Sequence, residues 1–266
     1  GDVAKLLEKM ARAGDLNARR RAAIVLAFHT SAAAHELLAQ VAAEVIYQQP
    51  KPKVNIEQIL VDAAKDANEE PEVRQWAIRA LGYVGQPAHV QALGELLKPG
   101  SPYVGEAARA IARIGWRVTE KQLREEMAAG RREPSRAAKM LIDLLLKAPN
   151  DELRLQAAVA LSMMGDDPVW GLIDQFSKVD ERLRPWVAAT LAAIGKPASD
   201  ACLDARGTTK DPTVKEWATV TLQLIGDAQA VDLIRHLPPE EQPDKKKVRA
   251  AEPILQRIRA ERAHVV

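Results

Sequence analysis

The stretch EVRQWAIRALGYVGQPAHVQALGELL, residues 72–97, decides the fold. Numbered from Val73, apolar or small residues fall at offsets 0, 4, 7, 8 and 11, as Val73, Ala77, Ala80, Leu81 and Val84, with Gly85 next. Those offsets trace one face of a helix. The glycine reads as its stop, because Gly takes the left-handed backbone that closes helices. Pro87 then restarts the chain at a first-turn position, where its missing N–H costs nothing, and Ala88 to Leu97 is the expected return helix.

The frame recurs along the chain. It reappears at Tyr103, Leu153, Leu183 and Val214, ending at Gly115, Gly165, Gly195 and Gly226, and a degenerate copy starts at Ala18. Uninterrupted steps are 30, 30 and 31 residues, so one repeat is a pair of antiparallel helices. Further return helices are expected at Val169 to Phe176, Ala198 to Ala205 and Ala228 to Leu237. Two intervals, of 55 and 50 residues, exceed one step. They predict additional helices within 31–67 and 119–147, the latter as Thr119 to Ala129, with Thr119 and Gln122 as a capping box, and Ser135 to Lys147.

A helix pair of this kind cannot cover its own apolar face, so stacking on the next pair must do it. The expected fold is an all-α solenoid of stacked antiparallel helix pairs, a curved superhelix. One domain is expected over 1–266, with a capping helix at 1–15, repeats over 16–237, a linker at 238–246 and a capping helix at 247–266. The quoted string resembles HEAT-like repeats, in particular the short bacterial variety first associated with phycobilisome lyases. In that resemblance the basic residues at offset 1, Arg19, Arg74, Arg154, Arg184 and Lys215, stabilise turns and pair with acids such as Glu70, Asp151, Glu181 or Asp211. The class implies a binding scaffold more than any chemistry.

Composition narrows the function. The 38 Lys and Arg against 36 acids leave a net charge of +2, no general attraction to nucleic acid or an anionic membrane. One cysteine, Cys202, excludes an internal disulfide. With 47% hydrophobic but 4% aromatic residues, the core must be built from Ala, Leu, Val and Ile. No apolar run reaches the roughly 18 to 20 residues of a membrane span, and the single thiol fits a reducing cytoplasm. Residue 1 is Gly rather than Met, which reads as a processed or excised piece and leaves a bacterial envelope location open.

The flank at offsets 3, 6 and 10 carries the site hypothesis. Offset 3 is Trp76, Trp186 and Trp217 in three copies. The neighbouring offsets supply Arg79 and Tyr83, Arg109 and Arg113, then Val159, Met163 and Val220. A ribbon that is basic in one part and apolar with Trp in another suits a partner protein or peptide segment. The competing reading places the tryptophans as wedges between repeats, which is ordinary packing. Trp116 and Trp170 read as packing anchors.

No catalytic, cofactor or metal set is expected. The five histidines are scattered; related repeat proteins with di-iron hydroxylase activity carry several His-Glu pairs, and this chain has His35-Glu36 alone. Asp200 and Asp204 should raise the Cys202 pKa and keep it inert. The function expected is a noncatalytic scaffold that binds a partner protein through the concave solenoid surface, one module of a larger bacterial protein or assembly. Two alternatives are a bilin lyase-like chromophore-handling protein, by family resemblance, and a nucleic-acid binder. The second would use Arg109, Arg113, Arg117, Lys121, Arg124, Arg131, Arg132, Arg136 and Lys139, nine bases against five acids between 106 and 139.

Overall fold

A computed structural model describes residues 56–69, 71–127 and 133–265, with the backbone alone at 56, 59, 84, 117–127 and 265. The expected capping helix at 1–15, the copy from Ala18 and the part of the 31–67 segment before residue 56 lie outside those residues. The described residues fall into two compact units, divided between Leu93 and Gly94. Among the described residues there is no strand.

In the first unit, α1 (Ile56–Lys65) packs against α2 (Pro71–Val84), and a short 3-10 turn, Pro87–His89, leads into α3 (Val90–Gly94). The return helix is thus shorter than Ala88 to Leu97. Its entry is fixed by the Gln86 backbone N–H donating to His89 Nδ1 at 2.8 Å. Ala63, Ala64, Ala77, Ile78, Ala80 and Leu81 close the core between α1 and α2.

The second unit has two layers. First helices α4 (Val104–Met127), α6 (Asp151–Ser162), α8 (Arg184–Ile194) and α10 (Pro212–Ile225) pack side by side. Return helices α5 (Arg136–Lys147), α7 (Val169–Ile173) and α9 (Lys196–Thr208) form the other layer, and α11 (Ala228–His236) packs on α10. Side-chain caps start four of these helices: Ser135, Asn150, Asp211 and Asp227 accept the N–H of Ala138, Leu153, Thr213 and Ala230 at 3.2, 2.9, 2.8 and 2.9 Å. At the other ends Gly165, Gly195 and Gly226 hold φ of 62°, 88° and 66°, values L side chains rarely adopt.

Gly115 corrects the expected plan. It stops nothing: α4 runs on through Thr119 and Gln122 as one helix of 24 residues ending at Met127, so Thr119 starts no helix and caps none. The reason is packing, because a Cβ at Gly115 would lie 2.5 Å from Met164 Cε and 3.2 Å from Ala137 Cβ. Gly115 is the point where α5 and the end of α6 approach α4 closely. The surplus residues therefore lengthen a first helix, and the helix expected at Ser135 to Lys147 is simply its return partner, which keeps every later frame in its proper layer.

The offset-1 arginines do something more specific than pair with acids. Arg74 Nε donates to the Ala64 carbonyl at 3.2 Å, Arg154 Nη2 to Ala148 at 2.6 Å and Arg184 Nε to Phe176 at 3.0 Å. Each hooks the closing carbonyls of the preceding segment, groups that a helix end leaves without an intrahelical donor. Arg154 also pairs with Asp151 at 2.6 Å, as the resemblance implied. Lys215 does not pair with Asp211, which is occupied capping α10; it reaches Glu241 instead, at 2.7 Å.

The last helix, α12 (Lys245–Val265), is the largest departure. A cap would cover the final pair only. Instead α12 packs along α8, α10 and α6.

Candidate partner-binding flank

Frame position decides which side chains lie on the flank, and burial divides them. In the first unit Trp76 and Tyr83 are 36% and 44% exposed, and the Arg79 guanidinium lies 5.3 Å from the Trp76 ring centroid. These three occupy offsets 3, 6 and 10 of α2. They form an exposed aromatic and basic patch on a helix whose opposite face is core.

In the second unit the same offsets are mostly covered. Trp186 and Trp217 are 6% and 1% exposed, and Val159 and Val220 are buried, while Met163 is half-buried. Trp217 stacks on Phe176 with centroids 6.0 Å apart. The three equivalent tryptophans thus differ in burial, Trp186 and Trp217 being buried and Trp76 exposed. Arg109 is turned to internal use: it pairs with Glu106 at 3.3 Å and donates to Gln156 Oε1 at 2.8 Å, tying α4 to α6 across offset 3. Arg113 is half-buried beside it. Of the basic residues considered for nucleic acid, the side chains of Arg117, Lys121, Arg124, Arg131 and Arg132 lie outside the described residues, and Lys139 pairs with Glu133 at 2.5 Å. Trp116, expected as an anchor near a helix end, sits within α4 and is 47% exposed, its ring over Gly165.

The covering helix is held at several points. Ala251, Leu255 and Ile258 are its buried side chains, at i, i+4 and i+7. Lys247 pairs with Glu216 and lies 5.7 Å from the Trp217 ring centroid. Arg262 Nη1 donates to the Ala193 carbonyl at 2.8 Å, and Arg257 reaches Glu152 at 3.7 Å. Trp217 and Ala193 are offsets 3 and 10, so α12 lies across the flank itself. Sequence reasoning missed this, although the acids Glu152 and Glu216 beside first-helix starts and the basic ends of α12 were complementary signals.

The segment expected as a linker is a latch. Glu241 accepts from both Arg206 and Lys215, and Gln242 Nε2 donates to the carbonyls of Ile234 and Leu237, each at 2.8 Å. The Lys215 hydrogen bond, with the charges of Lys215 and Arg206, holds the Glu241 carboxyl below its ordinary value. Asp167 behaves oppositely. Burial raises its pKa despite hydrogen bonds from Ser135 N–H at 2.8 Å and Ser135 Oγ at 2.5 Å. Burial also pushes the Cys202 thiol up to about 12, rather than the neighbouring aspartates.

Among the described residues no group of three or more His, Cys, Asp or Glu could hold a metal ion, and no described helix is long and apolar enough to cross a membrane. A cleft of about 530 Å³ on the return-helix layer is lined by charges of both signs, including Arg136, Lys139, Asp143 and Asp174.

The family profile for HEAT repeats matches residues 56–125 and 138–223. No curated protein matches the chain. Two solved structures align over most of its length. Human deoxyhypusine hydroxylase in complex with glycerol is 18% identical, covering 97% of this chain and 96% of that one with a TM-score of 0.30. The complex of CpcE and CpcF of phycocyanin lyase from Nostoc sp. PCC7120 is also 18% identical, covering 96% and 94% with a TM-score of 0.31.

Proposed function

Since the chain belongs to the HEAT-repeat family, we propose that it is a noncatalytic scaffold that binds another protein along the flank of its first helices. The supporting observation is that this flank holds a helix within the molecule: Lys247 and Arg262 of α12 engage Trp217 and Ala193 at offsets 3 and 10. A surface that accepts one amphipathic helix has the shape and chemistry to accept another. In the first unit the corresponding Trp76 and Tyr83 stand exposed with Arg79 half-buried against the Trp76 ring, and the three carry the aromatic and arginine chemistry that dominates binding hot spots.

The test compares wild type with Trp76→Ala/Tyr83→Ala as bait in extract of the native organism, retained proteins being identified by mass spectrometry. A partner held by wild type and lost by the double variant at unchanged melting temperature is the expected result. Equal retention by both would remove this patch from the binding surface. A stoichiometric bilin or iron in the purified protein would replace the scaffold reading with an enzymatic one.

A further inference from the structure

We propose that the surface formed by α6, α8 and α10 is a receptor for basic amphipathic helices, with α12 as its built-in occupant and a partner's helix of the same chemistry as the incoming one. This deepens the scaffold reading and rests on it.

Three features make α12 resemble a docked ligand more than a core element. It buries only Ala251, Leu255 and Ile258, one stripe at helical spacing, while its remaining described side chains are half-buried or exposed. Core helix α8, by contrast, buries eight consecutive residues, Trp186 to Ala193. Of its ion pairs, Arg257–Glu152 is exposed, a kind that holds weakly, while Lys247–Glu216 is half-buried and Arg262 adds one part-buried hydrogen bond to the Ala193 carbonyl. The helix joins the repeats through Pro238, Pro239 and Pro243 and the Glu241 latch, which grips Lys215 on α10 and Arg206 on α9 and so tethers α12 through residues outside its own length.

The same contacts specify the incoming helix. Its stripe needs a small residue followed by aliphatic ones at i+4 and i+7, matching Ala251, Leu255 and Ile258. A cation near its start must sit over the Trp217 ring and against Glu216, and one near its end must donate to the Ala193 carbonyl. Among the described residues the buried Trp217 indole N–H has no hydrogen-bond acceptor. An acidic helix would meet Glu152 and Glu216 and be rejected.

A labelled synthetic peptide of residues 245–265 is the probe, titrated by fluorescence anisotropy against the full chain and against the full chain carrying Leu255→Asp, which weakens its own helix. The variant should bind the peptide at least tenfold more tightly than wild type, and a peptide carrying Leu255→Asp should bind neither. Should the variant chain not fold, hydrogen exchange on wild type decides: α12 amides are expected to exchange at least tenfold faster than those of α8. No peptide binding to a folded variant, or α12 amides as protected as α8, overturns the proposal. A concentration-dependent wild-type dimer joined through α12 overturns it in favour of a second copy as occupant. Loss of peptide binding alongside Trp76-dependent partner capture would leave the scaffold reading standing and remove this one.

Discussion

Trp217 and Trp76 hold the same place in the repeat frame and opposite places in the energetics. Trp217 is buried, stacked on Phe176 and roofed by Lys247. Truncation to Ala there removes a large buried ring and leaves a cavity, a loss of about 3 to 5 kcal/mol, which calorimetry should register as a fall of roughly 6 to 20 °C in melting temperature for a unit of this size. Trp76→Ala should shift the melting of its smaller unit by no more than about 4 °C, because exposed substitutions stay within about 0.5 kcal/mol. The frame made the two equivalent; their burial was not legible in it, since offset 3 sits at the edge of the helical core arc and only the tail, more than 25 residues further along, covers Trp217. The offset-1 arginines were better marked in the sequence. Their positions stood out, but the target did not, because a carbonyl acceptor leaves no trace in residue identity while the nearby acids do.

Elements were legible where one signal spoke alone. Frames at 73, 103, 153, 183 and 214 begin within two residues of α2, α4, α6, α8 and α10. Gly115 failed because glycine marks both a stop and a close approach, and the second cause lies on other helices, at Met164 and Ala137. Gly115→Val should therefore destabilise despite the helical backbone, by about 1 to 3 kcal/mol, measured by urea denaturation. Gly115→Ala should fall much closer to neutral, since the Met164 methyl can swing aside while alanine favours the helix.

The latch of α12 has its own pH dependence. The folded pKa of Glu241 lies below its ordinary value, so its contribution is fully present above the ordinary carboxylate range and is lost as pH falls through the folded value. Wild type should melt above Glu241→Gln at pH 7, and the two curves should converge in acid well below that range. Asp167 has the opposite sign, its pKa being raised, and it is unchanged in both proteins. The difference between them thus isolates Glu241.

For the second unit taken whole, the layered stack was readable from self-similarity, because every first helix repeats one pattern and each pair must be covered by the next. What the tail covers was not readable, since an amphipathic stripe states that a helix is buried on one side without naming the surface. The 21 residues of α12 extend about 32 Å, and three neighbouring first helices span about 16 to 20 Å between outer axes. The tail is thus long enough to cross three of them and starts from the end of the last. It works as a ruler for the stack. Adding one 30-residue copy between Gly226 and the latch would carry the start of α12 one helix further out and strip it from α6. Such an insertion should leave circular dichroism per residue unchanged yet break the Arg257–Glu152 pair and speed hydrogen exchange along α6. A copy count free to drift in an ordinary repeat array is here pinned by the reach of one helix.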